Sequence, residues 1–394
     1  MSTLDRYGGT EQLKFAGTGF FRAERSSSRW WLVDPDGGAF IQIGIAHADD
    51  SDLKYSHNVD VWRNKYGGSK DRWIKEGVAR DFRAWGFNTI GWTQDYVGGG
   101  WRKAFDWAER ITVQQSISQF SRRDFDLAGM PYVVLLRGLE TEDWNGDPLF
   151  PDVWSDDFED HCSYLARSVA VDHADSPNLI GYSYVDAPSW APHVSGADFP
   201  QLSGLTGSAR ETKLFDVASR YYQAMAEHIR KFDTNHMILG DLFNGDRPLP
   251  DAVLEALKPY VDVLAIQYFP GDTDAARERM RDHAAHAAKL TDKPLYIPDI
   301  GNWSPTKLNP RRVPDPTRRV AGVEDQAARA ANYIASISSV LTEPWFVGWH
   351  WCAYIENLAR GWGIKDPWDE PYEDFVGPVT EFNKSLYDRI LAAR

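Results

Sequence analysis

Three aspartates close short β-branched and aromatic runs of this sequence, namely Asp186, Asp241 and Asp299. Hydrolysis of a glycosidic bond needs two carboxyl groups beside that bond, one to protonate the leaving oxygen and one to attack carbon or activate water. We therefore predict Asp186 as the general acid and Asp299 as the nucleophile or base. Asp241 is predicted as a third catalytic carboxylate, either as base or as a neighbour that raises the pKa of the acid. The alternative for each aspartate is a cap on the following loop or helix.

Aromatic and polar side chains stand at or just beyond the ends of similar runs. Flat aromatic rings present apolar faces to the C–H groups of sugars, while indole N–H and phenol O–H groups keep polar partners. The alternative is that each tryptophan fills its own loop and that each histidine is a satisfied buried side chain. We predict a substrate-binding set of His47, Trp92, Trp190, Gln267, Tyr268, Trp303, His350 and Trp351. Three of its tryptophans are expected to line the pocket between the carboxylates: Trp190, Trp303 and Trp351.

Metal catalysis is the rival chemistry for the segment His47-Ala-Asp49-Asp50. A metal-dependent hydrolase would need further histidines after the fifth and sixth runs, where Asp241 and Tyr268 stand instead. Because this ligand count is not met, we predict no metal site. No glycine-rich phosphate loop follows a run either, so no nucleotide or other cofactor is expected.

Eight such runs, each followed by a helical stretch, must position these residues. Parallel strands joined by helices bury both faces, and closing eight of them leaves no sheet edge. We therefore predict an α/β fold, a (β/α)8 TIM barrel with long loops after several strands, whose chemistry lies at the C-terminal strand ends. Residues 1–38 are predicted as an N-terminal β-hairpin that caps the barrel bottom within the same domain, and residues 39–394 as the catalytic barrel. The predicted strands are Ala39–His47, Phe87–Thr93, Pro131–Arg137, Leu179–Asp186, His236–Asp241, Val261–Tyr268, Pro294–Asp299 and Trp345–Trp351.

Composition excludes several classes of partner. The 43 basic and 57 acidic residues leave a net charge of −14, the wrong sign for binding nucleic acid. A mean hydropathy of −0.48 and the lack of a long apolar run argue against a membrane span. Cys162 and Cys352 fit no redox or metal motif and are predicted as free thiols. The start of the sequence resembles no export signal, so we expect a cytoplasmic protein unless a leader has been removed. Whether the chain forms a homo-oligomer is left open.

Four sequence segments carry a family resemblance. They are RWWLVDPDGGAFIQIGIAH from Arg29 to His47, GFNTIG from Gly86, IGYSYVD up to Asp186, and PSW up to Trp190. They resemble the β-agarase and β-galactosidase-like branch of the retaining (β/α)8 glycoside hydrolases, across roughly residues 19 to 393. The resemblance implies hydrolysis of a galactose-type or related oligosaccharide or polysaccharide, without a cofactor.

The sequence departs from that family at both catalytic positions. Relatives carry Asn-Glu after strand four, the Glu being the acid/base, and a Glu nucleophile after strand seven. Alignment on Trp190 sets Asp186 at the Asn and Ala187 at the Glu, while Asp299 stands at the nucleophile position. The resemblance also assigns Tyr268 to the strand-six aromatic that steadies the nucleophile, and Trp351 to the strand-eight Trp beneath the innermost sugar.

Three explanations of the departure compete: Asp186 has become the acid, Ala187 is an engineered removal of a carboxylate, or the chain binds carbohydrate without hydrolysis. Asp is shorter than Glu, so an Asp pair would stand further apart and could admit a water for inversion. We predict a glycosidase; the alternatives are a non-hydrolytic or inactivated carbohydrate-binding barrel and a metal-dependent hydrolase.

Overall fold

A computed structural model of the chain describes residues 3–27, 29–93, 120–136, 150–188, 190, 198–247, 249–308, 322–356 and 361–393. Eight parallel strands close into a barrel in the order β10-β11-β12-β5-β6-β7-β8-β9. This confirms the predicted (β/α)8 fold. The barrel strands are β5 Gln42–Ala46, β6 Thr89–Ile90, β7 Tyr132–Leu135, β8 Leu179–Asp186, β9 Met237–Asn244, β10 Leu264–Gln267, β11 Leu295–Ile300 and β12 Phe346–Cys352.

An antiparallel sheet covers the N-terminal ends of the barrel strands. It has four strands in the order β1-β4-β3-β2, more than the predicted hairpin, which is its β2–β3 part. Side chains from this sheet and the segments beside it, including Phe21, Leu32 and Phe40, join the apolar cluster that fills the barrel interior. The barrel is therefore a closed core at this end. The strands are β1 Thr10–Lys14, β2 Arg22–Ser26, β3 Arg29–Val33 and β4 Gly38–Phe40, so that β4 crosses the expected boundary at residue 38.

Arg29 fastens this sheet to the barrel. Its buried guanidinium donates to the carbonyl oxygens of Leu341 at 3.1 Å, Glu343 at 2.8 Å and Phe346 at 2.8 Å. These carbonyls lie at the start of β12 and in the turn before it. The RWW segment of the family resemblance thus has a structural function, since hydrogen bonds to a charged donor are stronger than neutral ones.

Helices surround the barrel, with a π-helical stretch, Trp73–Ala79, joining the helix Lys70–Arg72 to the helix Arg80–Ala84. Several begin with a side-chain cap: Ser155 Oγ accepts from Phe158 N at 3.2 Å, and Asp325 Oδ1 accepts from Ala328 N at 2.8 Å. Among the described residues, no helix combines the length and apolar character needed to cross a bilayer. The helices are α1 Val59–Tyr66, α2 Lys70–Arg72, α3 Arg80–Ala84, α4 Arg122–Ala128, α5 Asp156–His173, α6 Gly207–Arg230, α7 Asp251–Leu257, α8 Asp274–Thr291, α9 Gln326–Ser338, α10 Glu373–Lys384 and α11 Leu386–Ala392.

Candidate active site

Asp186 is the last residue of β8, at the C-terminal mouth of the barrel, and the pairing of β8 with β9 is irregular just before it. Ser183 pairs with Gly240 and Asp186 pairs with Leu242, so three steps along β8 match two along β9. Such a bulge re-aims the side chains that follow it. Asp186 is buried, and its Oδ1 accepts a hydrogen bond of 2.5 Å from Gln267 Nε2 on β10. The predicted acid and the predicted binding residue Gln267 therefore lie together.

Gln267 is itself fixed by the strand between them. Its Nε2 also donates to the carbonyl oxygen of Leu242 on β9, at 3.0 Å. A single amide thus connects the ends of β8, β9 and β10. Two acceptors on one amide nitrogen fix its orientation, and they hold the Asp186 carboxylate in one place.

The second group of predicted residues lies where three neighbouring strands of the barrel, β11, β12 and β5, end. His47 follows β5, and its Nε2 lies 3.9 Å from Asp299 Oδ2 on β11. The Trp92 ring packs edge-on to the His47 ring, with centroids 4.5 Å apart. Trp92 Nε1 donates to the carbonyl oxygen of Pro298 at 2.7 Å, and Trp92 O accepts from His47 N at 3.0 Å. Trp92 therefore positions both His47 and the strand end that carries Asp299.

Cys352, which the sequence reasoning left without a role, completes this second group. Its sulfur, an imidazole nitrogen of His47 and a carboxylate oxygen of Asp299 lie within 4.8 Å of one another. Both cysteines are free thiols, as predicted. A signal was present in the sequence, because Cys352 is two residues after His350 and residues i and i+2 of a strand share a face.

The alternation of side chains along β12 also contradicts the prediction that Trp351 lines the pocket. The Trp351 ring faces the helical layer, with its centroid 5.2 Å from that of Tyr333 and 5.1 Å from that of Phe375. The side chain is 1% exposed and belongs to the core between barrel and helices. Trp351 is therefore a packing residue and does not line the barrel mouth; Cys352 is the neighbour that faces the mouth.

His350 faces the barrel interior below the mouth. A Cβ at Gly44 would overlap its ring, and a Cβ at Gly91 would lie 2.9 Å from its Nδ1, so the two glycines make room for it. Complete burial lowers the pKa of His350 to about 3. The ring is thus neutral at physiological pH, and its position is that of a core histidine, so the predicted sugar contact is not supported.

Asp241 and Trp190 lie together in the wall between β9 and α6. Gly240 has φ +65°, and this left-handed residue shifts the alternation of β9 so that the next side chain points outward. The Asp241 carboxylate accepts hydrogen bonds from Trp190 Nε1 at 3.2 Å, Tyr221 Oη at 3.0 Å and Tyr222 Oη at 2.5 Å. Burial raises the pKa of Asp241 to about 6, and these donors oppose the shift. These contacts indicate that the Asp241 carboxyl group holds Trp190 in place between the barrel and α6. They do not favour a contact between Asp241 and the substrate.

Tyr268 also points away from the mouth. Its hydroxyl pairs with His283 Nδ1 on α8 at 2.8 Å, and its ring is buried. The β10 residue that reaches the mouth is its neighbour Gln267. The expected contact between Tyr268 and the nucleophile therefore has no support from the direction of this side chain.

Trp303 lies in a small aromatic cluster on the loops after β10, β11 and β12. It packs with Phe269, and Trp362 borders both rings. The Phe269 and Trp362 centroids are 5.8 Å apart. Trp362 is half-buried, so this cluster offers an aromatic edge at the mouth end of the barrel.

Two further features of the mouth, the side chain of Glu356 and the backbone conformation of Ala187, escaped the sequence reasoning. Glu356, in the loop after β12, is buried and accepts from Thr306 Oγ1 at 2.6 Å and from the Tyr372 hydroxyl. Ala187, directly after Asp186, has φ +49° and donates its N–H to Leu242 O at 2.8 Å. Glu356 ties the loops after β11 and β12, and the Ala187 backbone ends the β8 strand sharply.

No protein-family model matches the chain. β-Agarase B from Vibrio sp. (strain JT0107) is 23% identical over an alignment 493 positions long, which covers 97% of this chain and 50% of that protein. A solved exo-β-agarase has a TM-score of 0.75 and 17% identity, covering 99% of this chain and 68% of that one. A second agarase of known crystal structure has a TM-score of 0.75 and 19% identity, covering 99% and 67%. The chain spans about half the length of the curated relatives it matches. These findings confirm the barrel fold and the resemblance to β-agarases.

Proposed function

We propose that this chain is a glycoside hydrolase that cleaves O-glycosidic bonds in an agar-like, galactose-type polysaccharide. The supporting observation is that two buried carboxylates, Asp186 and Asp299, each sit at a barrel mouth strand end beside a polar side chain of another strand. Two such carboxyl groups are the minimum that glycoside hydrolysis requires. The names of the similar proteins supply the class of substrate.

In the proposed mechanism, Asp186 gives its proton to the glycosidic oxygen as the C–O bond breaks. Gln267 Nε2, 2.5 Å from Asp186 Oδ1, orients this carboxyl group. Asp299 either attacks the sugar carbon, to be displaced later by water, or takes a proton from the attacking water. His47 and Trp92 hold the Asp299 segment in place. The aromatic cluster around Trp303 replaces Trp351 as the candidate sugar-stacking surface.

The deciding experiment measures release of reducing ends from agarose and from agaro-oligosaccharides. Asp186→Asn and Asp299→Asn should each lower kcat by at least about 10³-fold, because each keeps the side-chain shape but removes the acid or the charge. Asp292→Asn is the matched control: Asp292 is exposed and follows α8 in a left-handed conformation that Asn tolerates. Wild-type activity in either active-site variant, with the control unchanged, would contradict the proposal.

A second candidate function, carbohydrate binding without hydrolysis, is favoured by Ala187 at the position where relatives hold the acid. Ala187 is completely buried and has φ +49°. We predict that Ala187→Glu gives no gain in hydrolysis, since the new carboxyl group would enter a filled site while Asp186 already supplies the acid. Reducing-end assays of wild type and variant decide the matter. An inactive wild type that binds agaro-oligosaccharides, and becomes active in the Glu variant, would establish the second candidate.

A further inference from the structure

We propose that His47, Asp299 and Cys352 form a binding site for a thiophilic divalent cation such as Zn²⁺, and that occupancy of this site inhibits hydrolysis. The three side chains offer one nitrogen, one oxygen and one sulfur ligand atom, all within 4.8 Å of one another. Imidazole, carboxylate and thiolate are the three ligand types that Zn²⁺ takes in proteins.

The distances leave little movement to make. Zn²⁺ bonds of about 2.0–2.3 Å in a tetrahedron place ligand atoms about 3.4–3.6 Å apart. His47 Nε2 and Asp299 Oδ2 are already 3.9 Å apart. His47 and Asp299 therefore need only a small side-chain rotation, and the Cys352 sulfur, within 4.8 Å of both ligand atoms, must approach them by at most about 1.2 Å.

The surroundings hold these ligands in place. Trp92 packs against the His47 ring at 4.5 Å and bonds to the carbonyl of Pro298, the residue before Asp299. Cys352 is the last residue of β12, whose register with β5 pairs it with Ala46, next to His47. Ligand side chains at the ends of three neighbouring strands are held in fixed relative positions, and such fixed positions favour binding of a metal ion.

Three protein ligands leave a fourth tetrahedral position for water. Inhibition rests on the proposed function: a carboxylate that coordinates the cation cannot also attack carbon or accept a proton from water. Zn²⁺ and substrate should then compete for Asp299. The metal site itself does not depend on hydrolysis.

Co²⁺ serves as the spectroscopic probe in the experiment, because it occupies the same tetrahedral sites and reports a thiolate ligand by a sulfur-to-cobalt charge-transfer absorption. Wild type should show this absorption, saturating at about one Co²⁺ per chain and disappearing on addition of Zn²⁺ or chelator. Cys162→Ser, the matched control for a buried thiol on α5 outside the site, should behave like wild type. Cys352→Ser should lose the absorption, and circular dichroism checks that it is folded.

Absence of the absorption in wild type, its survival in Cys352→Ser, or its loss in Cys162→Ser would each overturn the metal site. The inhibitory effect is tested on wild type and Cys162→Ser alone: hydrolysis should fall by at least about 10-fold at saturating Zn²⁺ and recover on chelation. Unchanged or increased hydrolysis at saturating Zn²⁺ would overturn the inhibition. If the chain hydrolyses no substrate, the Co²⁺ spectrum still decides whether the site exists, so the two failures are distinguishable.

Discussion

At the residue scale, the buried carboxyl group of Asp241 shows that an aspartate near a strand end can point between the barrel and its helices instead of into the barrel mouth. Its three donors, Trp190, Tyr221 and Tyr222, come from the loop after β8 and from α6. Hydrogen bonds to a charged group contribute about 1.5–3 kcal/mol each, and leaving a buried donor without its acceptor costs about 1–3 kcal/mol. Asp241 thus links the loop that carries Trp190 to the barrel.

Removing this carboxyl group should therefore affect stability more than chemistry. We predict that Asp241→Ala lowers the free energy of unfolding by about 2–4 kcal/mol, because two hydroxyls and an indole N–H lose their acceptor. Asp241→Asn should cost less, since its carbonyl still accepts. Urea denaturation and kcat measured on the same samples provide the check. A large loss of kcat in the Asn variant with an unchanged unfolding midpoint would return Asp241 to the catalytic residues.

At the element scale, alternation along β12 separates the barrel interior from the helical layer. Trp349 and Trp351 face outward, where Trp349 Nε1 donates to the Tyr333 hydroxyl at 2.8 Å. His350 and Cys352 face inward. The strand therefore uses its tryptophans to pack against α9 and α10.

Because Trp351 is a packing residue, we predict that Trp351→Ala lowers the free energy of unfolding by about 3–5 kcal/mol, the usual cost of removing a buried aromatic ring. This is the reverse of the small folding effect expected of a sugar-stacking residue at the rim. The matched control is Trp154→Ala, because the Trp154 side chain is 45% exposed. Thermal denaturation measures both variants. Equal and small changes in Tm, with weakened sugar binding by Trp351→Ala alone, would restore Trp351 to the binding set.

A buried charge network fixes the loop after β12. Lys365 Nζ lies 2.9 Å from Asp81 Oδ2 and 2.5 Å from Asp369 Oδ1, and it is almost completely buried. Lys65 also pairs with Asp369, and Arg80 with Asp81. The network connects α1 and α3 to the loop after β12.

Replacing the central cation should destabilise the fold. We predict that Lys365→Met lowers the free energy of unfolding by roughly 3 kcal/mol, because two buried carboxylates lose a shared counter-charge. Arg72→Gln is the control, since Arg72 forms an exposed pair with Glu76 whose loss costs little. Urea unfolding curves compare the two. An equal effect of both substitutions would show that Lys365 contributes no more than a surface ion pair.

At the scale of the whole molecule, the sheet below the barrel makes stability depend on pH. Asp34, in the turn before β4, is fully buried, and its carboxyl group lies beside that of Asp5. Burial, together with the neighbouring carboxyl group of Asp5, raises the pKa of Asp34 to about 7. In the folded chain Asp34 therefore retains its proton up to about pH 7, whereas in the unfolded chain it releases the proton near the ordinary aspartate pKa of 3.8. Between these pH values the folded state binds more protons, so the free energy of unfolding falls as pH rises.

We predict that Asp34→Asn is more stable than wild type at pH 8 by about 1–2 kcal/mol, with this advantage shrinking towards pH 5. The Asn carbonyl can keep the bonds from the backbone N–H groups of Asp36 and Gly38, and its amide can donate to Asp5. Asp36→Asn, at an exposed neighbour, is the control. Tm is measured across pH 5 to 8. Parallel curves for wild type and Asp34→Asn would contradict the raised pKa.

The sequence by itself determined the architecture and the position of six of the eight strand ends to within two residues, while β6 ends three residues before and β9 three residues after the predicted end. Runs of apolar residues followed by amphipathic helices repeat eight times, and burial on both faces of a parallel sheet leaves a closed barrel as the consistent solution. The strand ends at Asp186, Gln267 and Asp299 were located within a residue or two, because such ends are local features of composition.

Only the tertiary structure decided which way the residues at those ends point. Irregular pairing of β8 with β9 precedes Asp186 at the mouth, and the left-handed Gly240 turns Asp241 into the wall. Trp351 faces helices while Cys352 joins His47. A shift of one residue reverses the facing of every later side chain, and bulges depend on pairing with a strand distant in sequence. Side-chain direction at a barrel mouth is therefore a property of strand register, which local composition does not encode and which spacing reveals only where no bulge intervenes.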